Sequence, residues 1–233
     1  KKVAKKSSHI ITISNFVKND LIKFTGVNPE KITVTLESAD ELPKGNKPVD
    51  ELIGKKFIMY IGRPTPHKNL RRLIDAFALL QKKYPDLTLA LAGKKDSNYA
   101  RHETYVNERG IKNVVFTGFI SDEQLRWMYE NTAVYCFPSL SEGFGLPGLE
   151  AMLHGAPVAS STATCLPETH GDAAHYFDPF SVEDIAKSID DILSDDKLRN
   201  ELVKKGKKHV KTFSWQRMAE QTLAVYEKYG RKS

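Results

Sequence analysis

The sequence predicts an α/β protein: a Rossmann-like, doubly wound parallel sheet with a smaller unit in front of it. Three observations predict this. From Phe57 onward, short apolar runs alternate with stretches of helical spacing without interruption. Strands alternating with helices imply a parallel sheet covered on both faces, wound by right-handed crossovers. Before that point, residues 41–56 carry two prolines, two glycines and several charges, and read as a linker with one turn of helix. Finally, every polar motif of interest falls just after a predicted strand, where open parallel sheets bind ligands.

Taken in order, residues 9–14 (HIITIS) read as a strand. Ser14 caps a helix over residues 16–25, which Gly26 ends. Residues 31–38 alternate apolar and polar and read as a second strand. After the linker, residues 57–62 (FIMYIG) form a buried strand. Leu70, Leu73, Ile74, Phe77 and Leu80 then recur at helical spacing. Residues 87–93 and 113–118 are the next strands, with a polar helix over about residues 98–109 between them. Ser121 caps a helix to about residue 130, with Gln124 completing a capping box. Residues 133–137 are the fourth strand. A glycine turn and a short helix follow, with Pro147 suited to the first turn and Gly155 to the stop. Strands at 156–160 and 173–178 come next, then three helices at about 182–193, 195–210 and 215–228.

Composition bounds the function. The 233 residues suffice for one large domain or two small ones, and 40% apolar content supports a core. The net charge of +6 suits an anionic ligand or an anionic membrane surface, or simply a lysine-rich exterior. Basic and aromatic residues are not interleaved, so no nucleic-acid partner is expected. Cys136 and Cys165 have neither zinc spacing nor the density of a disulfide scaffold. No apolar run reaches the roughly 18–20 residues of a membrane span, and no signal peptide is visible. A cytoplasmic setting is expected. Because the first residue is Lys1, the chain is expected to be a piece of something longer.

Two stretches carry chemistry. In the loop GRPTPHKN (residues 62–69), Arg63 and Lys68 lie between a strand end and a helix start. Arginine offers a planar fork to phosphate oxygens and lysine a point charge, so together they can neutralise a diphosphate. The plain alternative is two solvated surface cations. His67 has no suitably spaced partner for a metal site, and no metal is expected. The loop has neither the phosphate-loop pattern nor a GxGxxG fingerprint, which weakens kinase, ATPase and dehydrogenase readings. The second stretch is SEGFGLPGLEAMLHG (residues 141–155). Glu142 and Glu150 have seven residues between them, Glu142 beside the glycine turn Gly143–Phe144–Gly145 and Glu150 inside a helix. Two carboxylates at the mouth of a sheet can accept hydrogen bonds from vicinal sugar hydroxyls, and the glycines let the backbone approach a ligand. The plain alternative is a helix start with a surface Glu142 and a helix-face Glu150.

This second stretch resembles the E-x7-E signature of retaining glycosyltransferases of the GT-B fold, in the large group 1 family that includes sucrose synthases and bacterial mannosyl- and glucosyltransferases. The resemblance extends further. YIGRPTPHKNLRRLIDAF is similar to the family's G-R-x4-K loop and helix. VVFTGFISDEQLRWMYENTAVYCFPSLSEGFGLPGLEAMLHGAPVASS is similar to its central run, and CLPETHGDAAHYFDP to its L-P-E…G-D-A-A…D-P segment. FSWQRMAEQTLAVYEK resembles its closing helix, and TISNFVKNDLIKFTGVNPEKITVTLESAD the end of its first domain.

The resemblance implies the carboxyl-terminal, donor-binding half of such an enzyme. Residues 1–40 would be the end of an acceptor-side first domain, 41–56 a linker, 57–213 the nucleotide-sugar domain and 214–233 a closing helix returning toward the first domain. Arg63 and Lys68 would hold the donor diphosphate after Gly62, and Glu142 would contact donor-sugar hydroxyls and stabilise charge at the anomeric carbon. Backbone N–H groups around Gly143, Phe144, Gly145 and Leu146 would bind sugar or phosphate. Glu150 would take the ribose, and Thr117, Gly118 and Phe119 would lie against the base. No metal or other cofactor is implied, since the cations and a helix N-terminus would supply the electrostatics. The partners implied are a nucleotide diphosphate sugar, a glycan or lipid-linked acceptor, the absent acceptor-binding domain and, as an option, the inner membrane face.

Two departures from the family pattern stand out. Cys165 occupies a place that often holds glycine or serine, and the acceptor-side catalytic histidine region has no counterpart. The implied alternatives are a non-catalytic nucleotide-sugar module of a larger assembly, or a phosphorylase or epimerase on the same architecture. Residues 1–40 are expected to pack near the closing helix, burying Trp215, Met218, Leu223 and Tyr226, and the mouth at Arg63, Lys68 and Glu142 is expected to be open to solvent.

Overall fold

A computed structural model of the chain describes residues 1–45 and 47–230. Position 46 of the expected linker and 231–233 of the expected closing segment lie outside the described residues.

The amino-terminal part is a small α/β unit. It comprises α1 (Lys2–Lys6), β1 (Ile10–Thr12), α2 (Asn15–Thr25), a 3-10 turn at Pro29–Lys31 and β2 (Ile32–Val34). β1 and β2 pair in parallel, Ile10 opposite Ile32. Both strands are shorter than the sequence predicts, because among the described residues each pairs with the other alone and no third strand extends the ladder. α2 forms as expected. The Ser14 hydroxyl accepts from Val17 N at its start, and Gly26 closes it with φ 69°. α1 was not anticipated; its lysines carry no apolar periodicity.

The main sheet is built from β3 (Phe57–Ile61), β4 (Thr88–Ala92), β5 (Val114–Gly118), β6 (Val134–Phe137), β7 (Val158–Ser161) and β8 (Ala174–Phe177). All neighbours are parallel, in the order β5-β4-β3-β6-β7-β8. The order reverses between β3 and β6, so the loops leaving these two strands diverge and open a crevice at their carboxyl ends.

The helices divide between the two faces of the sheet. α3 (Leu70–Leu80), α4 (Ser97–Glu108) and α8 (Val182–Ser194) cover one, against Ile58, Tyr60, Leu89, Leu91, Val134 and Cys136. α5 (Asp122–Asn131), α6 (Leu146–Leu153) and α7 (Leu166–His170) cover the other, against Phe57, Met59, Ala90, Ala92, Tyr135 and Phe137. The alternation of Phe57, Ile58, Met59 and Tyr60 between two cores is the period-2 geometry of a strand buried on both sides. The predicted capping box of α5 is present: Gln124 N donates to Ser121 Oγ at 3.4 Å, and Ser121 N to Gln124 Oε1 at 3.1 Å. The linker holds one 3-10 turn, Asp50–Leu52, with Leu52 buried. Both cysteine thiols are free and buried.

α9 (Asp196–His209) and α10 (Trp215–Tyr229) end the chain. α10 lies beside the amino-terminal unit: the His9 and Tyr229 rings stack at 4.1 Å, inclined by only 7°. The expected burial of its apolar face is corrected by the structure. No residue of α10 is buried, and Leu223 and Tyr226 are 57% and 65% exposed. The two-stranded unit is too small to cover a helix of four turns. Among the described residues no helix is long and apolar enough to cross a membrane.

Candidate functional site

The crevice between β3 and β6 gathers the residues that the two motifs supply. After β3 the chain turns through a 3-10 segment, Pro66–Lys68, and Asn69 takes a left-handed conformation (φ 58°) that starts α3. The Asn69 carboxamide pins this loop across the crevice by donating to the carbonyls of Pro138 (3.0 Å) and Pro179 (2.7 Å). Leu140 N donates to His67 O at 2.7 Å, closing the loop onto the segment after β6. These bonds put Lys68 opposite Glu142, 74 residues further on. Lys68 Nζ lies 2.6 Å from Glu142 Oε1, and the two side chains are only 23% and 13% exposed. A charge-assisted bond at this length and burial is far stronger than an exposed surface pair.

Arg63 does not join that pair. Its Nε donates to Asp96 Oδ2 at 3.3 Å, and it lines a separate hollow with Gly62, Gly93 and Lys94. Asp96 also caps α4, accepting from Asn98 N and Tyr99 N; these backbone bonds and the guanidinium hold its pKa below the usual carboxylate value. The run D-S-N-Y at residues 96–99 is an N-cap signal legible in the sequence.

The glycine turn is held from below. Gly145 (φ 104°) precedes Leu146 at the start of α6, with Pro147 in the first turn and no side-chain cap on the helix. Beneath it lies His170, fully buried. His170 Nε2 donates to Gly145 O at 3.2 Å, and its Nδ1 accepts from Ser160 Oγ at 3.2 Å, which fixes the neutral tautomer. Burial pulls its pKa down to about 4. A Cβ on Gly148 would lie 2.2 Å from His170 Nε2, so only glycine admits the imidazole there. His170 stands in the quoted LPETHGD run, but nothing at that position alone signals its role.

Thr164 is a second unforeseen element. It is β-branched yet left-handed (φ 56°), and its hydroxyl accepts from Glu142 N at 3.0 Å. The adjoining Cys165 is buried, and burial pushes its thiol up to about 12.

Glu150 is half-buried within α6 and accepts from the Tyr129 hydroxyl at 3.2 Å. Burial raises its pKa, and the Tyr129 bond opposes that rise. Thr117 and Gly118 end β5, and Phe119, the next residue, is 84% exposed. Phe144 is buried, edge-on against Phe213, so its side chain is a packing residue rather than a ligand contact.

The amino-terminal unit forms one wall of the site. Ser14 Oγ donates to Gly143 O at 2.7 Å, and Ile13 Cδ1 would meet a Cβ on Gly143 at 3.3 Å. Glu168 of α7 accepts from Asn15 N (2.7 Å) and Phe16 N (2.9 Å), placing a carboxylate on the positive end of α2. A cavity of about 480 Å³ at the mouth is lined by Phe16, Val17, Asp20, His67, Ser141, Glu142 and Gly143. The mouth therefore has α2 as a neighbour on one side, which the expectation of a freely open site left out. Among the described residues, no group of three or more His, Cys, Asp or Glu could hold a metal ion.

Comparison with known proteins fits this geometry. Residues 44–209 match the family described as Glycosyl transferases group 1. The chain is 32% identical over 234 residues to O-antigen chain mannosyltransferase B of Escherichia coli, covering 94% of this chain and 60% of that protein. It is 32% identical over 233 residues to the MMP alpha-(1->4)-mannosyltransferase of Mycolicibacterium hassiacum, covering 98% and 56%. This chain thus spans less than two thirds of the length of either relative. Among solved structures, sucrose-phosphate synthase from Thermosynechococcus elongatus superposes with a TM-score of 0.84 at 24% identity, over 97% of this chain and 59% of that one. Alr3699/HepE of Anabaena, solved in complex with UDP and glucose, gives 0.83 at 19% identity over 97% and 65%. At these identities the structures speak for the fold, which is that of the carboxyl-terminal half of a GT-B enzyme. With the matched family spanning most of the chain and its relatives named as mannosyltransferases, the chain belongs to the group 1 glycosyl transferases.

Proposed function

We propose that this chain supplies the donor site of a hexosyltransferase that moves a mannosyl group from a nucleotide diphosphate sugar to a glycan or lipid-linked acceptor, with retention at the anomeric carbon and without a metal. The observation that carries the reading is the Lys68–Glu142 pair, 2.6 Å apart at the reversal point of the sheet, with the uncapped start of α6 beside it. One cation faces the place for the diphosphate, and one carboxylate faces the place for the sugar. Opening this pair onto a donor exchanges one charge-assisted bond for two: ammonium to phosphate, and carboxylate to hydroxyl. In the transition state, negative charge grows on the leaving diphosphate beside Lys68 and the first amides of α6 (Leu146 onward), with Arg63 reaching it only after leaving Asp96, and positive charge grows on the sugar beside Glu142.

The remaining roles are those that the family resemblance implies. Glu150, held by Tyr129, takes the ribose hydroxyls. The exposed ring of Phe119 offers an apolar face to the base, beside Thr117 and Gly118. The backbone of Gly143, Phe144 and Gly145, braced by His170 and Ser14, approaches the sugar. Mannose as the sugar is supported by the names of the curated relatives, and a nucleotide sugar by the Anabaena structure's ligands. The setting proposed is cytoplasmic, with the acceptor supplied at the inner membrane face by a domain that the longer relatives have room for.

Calorimetric titration with GDP, GDP-mannose, UDP and UDP-glucose, with chelator present, tests the proposal. Saturable binding of a diphosphate in chelator supports it. Binding that vanishes in chelator and returns with magnesium overturns the metal-free donor site. A non-catalytic nucleotide-sugar module of a larger assembly is the second reading; slow donor hydrolysis by the chain would set it aside.

A further inference from the structure

A second basic cleft lies on the other side of the Gly62–Asn69 loop, between α3 and α4. Pro64, Thr65 and Pro66 form its rim, and Arg71, Arg72, Arg101 and His102 its walls, around a cavity of about 340 Å³. It is separate from the cavity at Glu142. Among the described residues Arg63, Arg126 and Arg199 each face a carboxylate, whereas none of the three arginines of this cleft forms an ion pair. Instead each of the two on α3 is oriented by an uncharged ring. The Arg71 guanidinium lies 4.1 Å from the centroid of Tyr105, and Arg72 lies 5.5 Å from that of Phe180 while donating to Asn69 Oδ1. Asp75, one turn along α3 from Arg71, accepts from the Tyr105 hydroxyl and forms no ion pair with these arginines. The start of α3 adds to the same field, since Asn69 gives it no side-chain cap.

Three guanidinium groups without an ion pair line one cavity, two of them oriented by rings, an arrangement suited to binding an anion. Planar forks converging from two helices fit the tetrahedral oxygens of a phosphate better than a flat, singly charged carboxylate. We propose that the α3–α4 cleft is a second anion site, specific for a phosphate-bearing ligand and distinct from the donor site. A phosphate there would contact the rim at Thr65 and Pro66, at the start of the turn that carries Lys68, and so would brace the donor loop from behind. The phosphate can come from a small soluble ester or from a lipid headgroup, and the experiment separates the two.

His102, half-buried in the cleft wall beside Arg71, provides a local signal. The imidazole resonances of His102 are followed by NMR while inorganic phosphate is titrated into the wild type, into Lys68→Ala and into the double variant Arg71→Gln/Arg101→Gln. Both arginines are exposed, so the double variant keeps the fold, and an unchanged thermal midpoint without phosphate verifies this. The expected result is a saturable shift of His102 in wild type and in Lys68→Ala, with affinity lowered roughly tenfold or more in the double variant. In a parallel arm, each protein is sedimented with phosphatidylglycerol or phosphatidylcholine vesicles. Arginine-dependent binding to phosphatidylglycerol alone, with no His102 response to phosphate, assigns the cleft to a lipid headgroup. His102 unmoved by phosphate together with no arginine-dependent vesicle binding overturns the proposal, as does binding that persists unchanged in the double variant. Because Lys68→Ala disables the proposed donor site, failure there and failure here are distinguishable.

Discussion

At the scale of the residue, two side chains decide how the site behaves. Lys68 supplies the partly buried cation at the mouth, so Lys68→Ala should weaken nucleoside diphosphate binding roughly tenfold or more, the worth of a charge-assisted hydrogen bond, and leave nucleoside binding unchanged. Titration calorimetry with both ligands measures this; equal loss for both would make Lys68 a structural residue. His170 sets the acid limit. Its folded pKa of about 4 lies below the 6.5 of a free imidazole, so protons favour the unfolded chain. Its contribution, about 3 kcal/mol by proton linkage, is whole above about pH 6.5 and is lost as pH falls toward about 4. His170→Gln keeps a donor for Gly145 but does not titrate, so its urea midpoint should fall less steeply with acid than that of the wild type; parallel curves would deny the role. Legibility at this scale follows sequence distance. The caps Ser14 and Gly26 and the box Ser121/Gln124 could be read because both partners lie within one helix turn or one helix. Lys68 and Glu142 could be singled out because each follows a strand, but not their pairing. His170 under Gly145 and Thr164 on Glu142 N depend on how loops cross in space, and no local pattern encodes that.

At the scale of the element, α2 is the test case. None of its residues is buried, so its packing face is weak, and it is held chiefly at its first turn by Glu168 and through Ser14. Glu168→Ala removes an acceptor for two backbone N–H groups and a charge at the helix's positive end. Amide hydrogen exchange over α2 should then accelerate roughly tenfold, the equivalent of about 1–2 kcal/mol of local stability, while β3 and β6 keep their protection. Exchange that speeds up equally in the sheet would mean that the unit is not a separate element. Elements of the main sheet were legible because their runs are long and apolar on both faces. α7, only five residues long, and the turn Pro66–Lys68 were not, since short pieces have no period to detect.

At the scale of the whole molecule, the sequence pattern made the doubly wound order readable, because β-α alternation leaves few topologies. It could not show that α10 would stand with its apolar face uncovered, since a helix looks the same whether or not its partner is present. With the proposed donor site bordered by α2 and with α10 uncovered among the described residues, the chain by itself is expected to bind donor and transfer no sugar. An assay with radiolabelled GDP-mannose and a panel of glycan and lipid acceptors checks this. Transfer by the chain alone would refute it, and transfer restored by a full-length relative's amino-terminal half would support it.

The two buried thiols give this molecule a pair of built-in clocks. Cys136 lies at the centre of β6, and Cys165 lies against Thr164 at the site; burial pushes both thiols up, away from the reactive thiolate. A disulfide reagent such as Ellman's therefore reaches neither in the native state, and its rate at each sulfur reports a different opening: Cys165 the loosening of the glycine turn, Cys136 the parting of the sheet. Donor binding should slow the first clock and leave the second keeping the time of global unfolding.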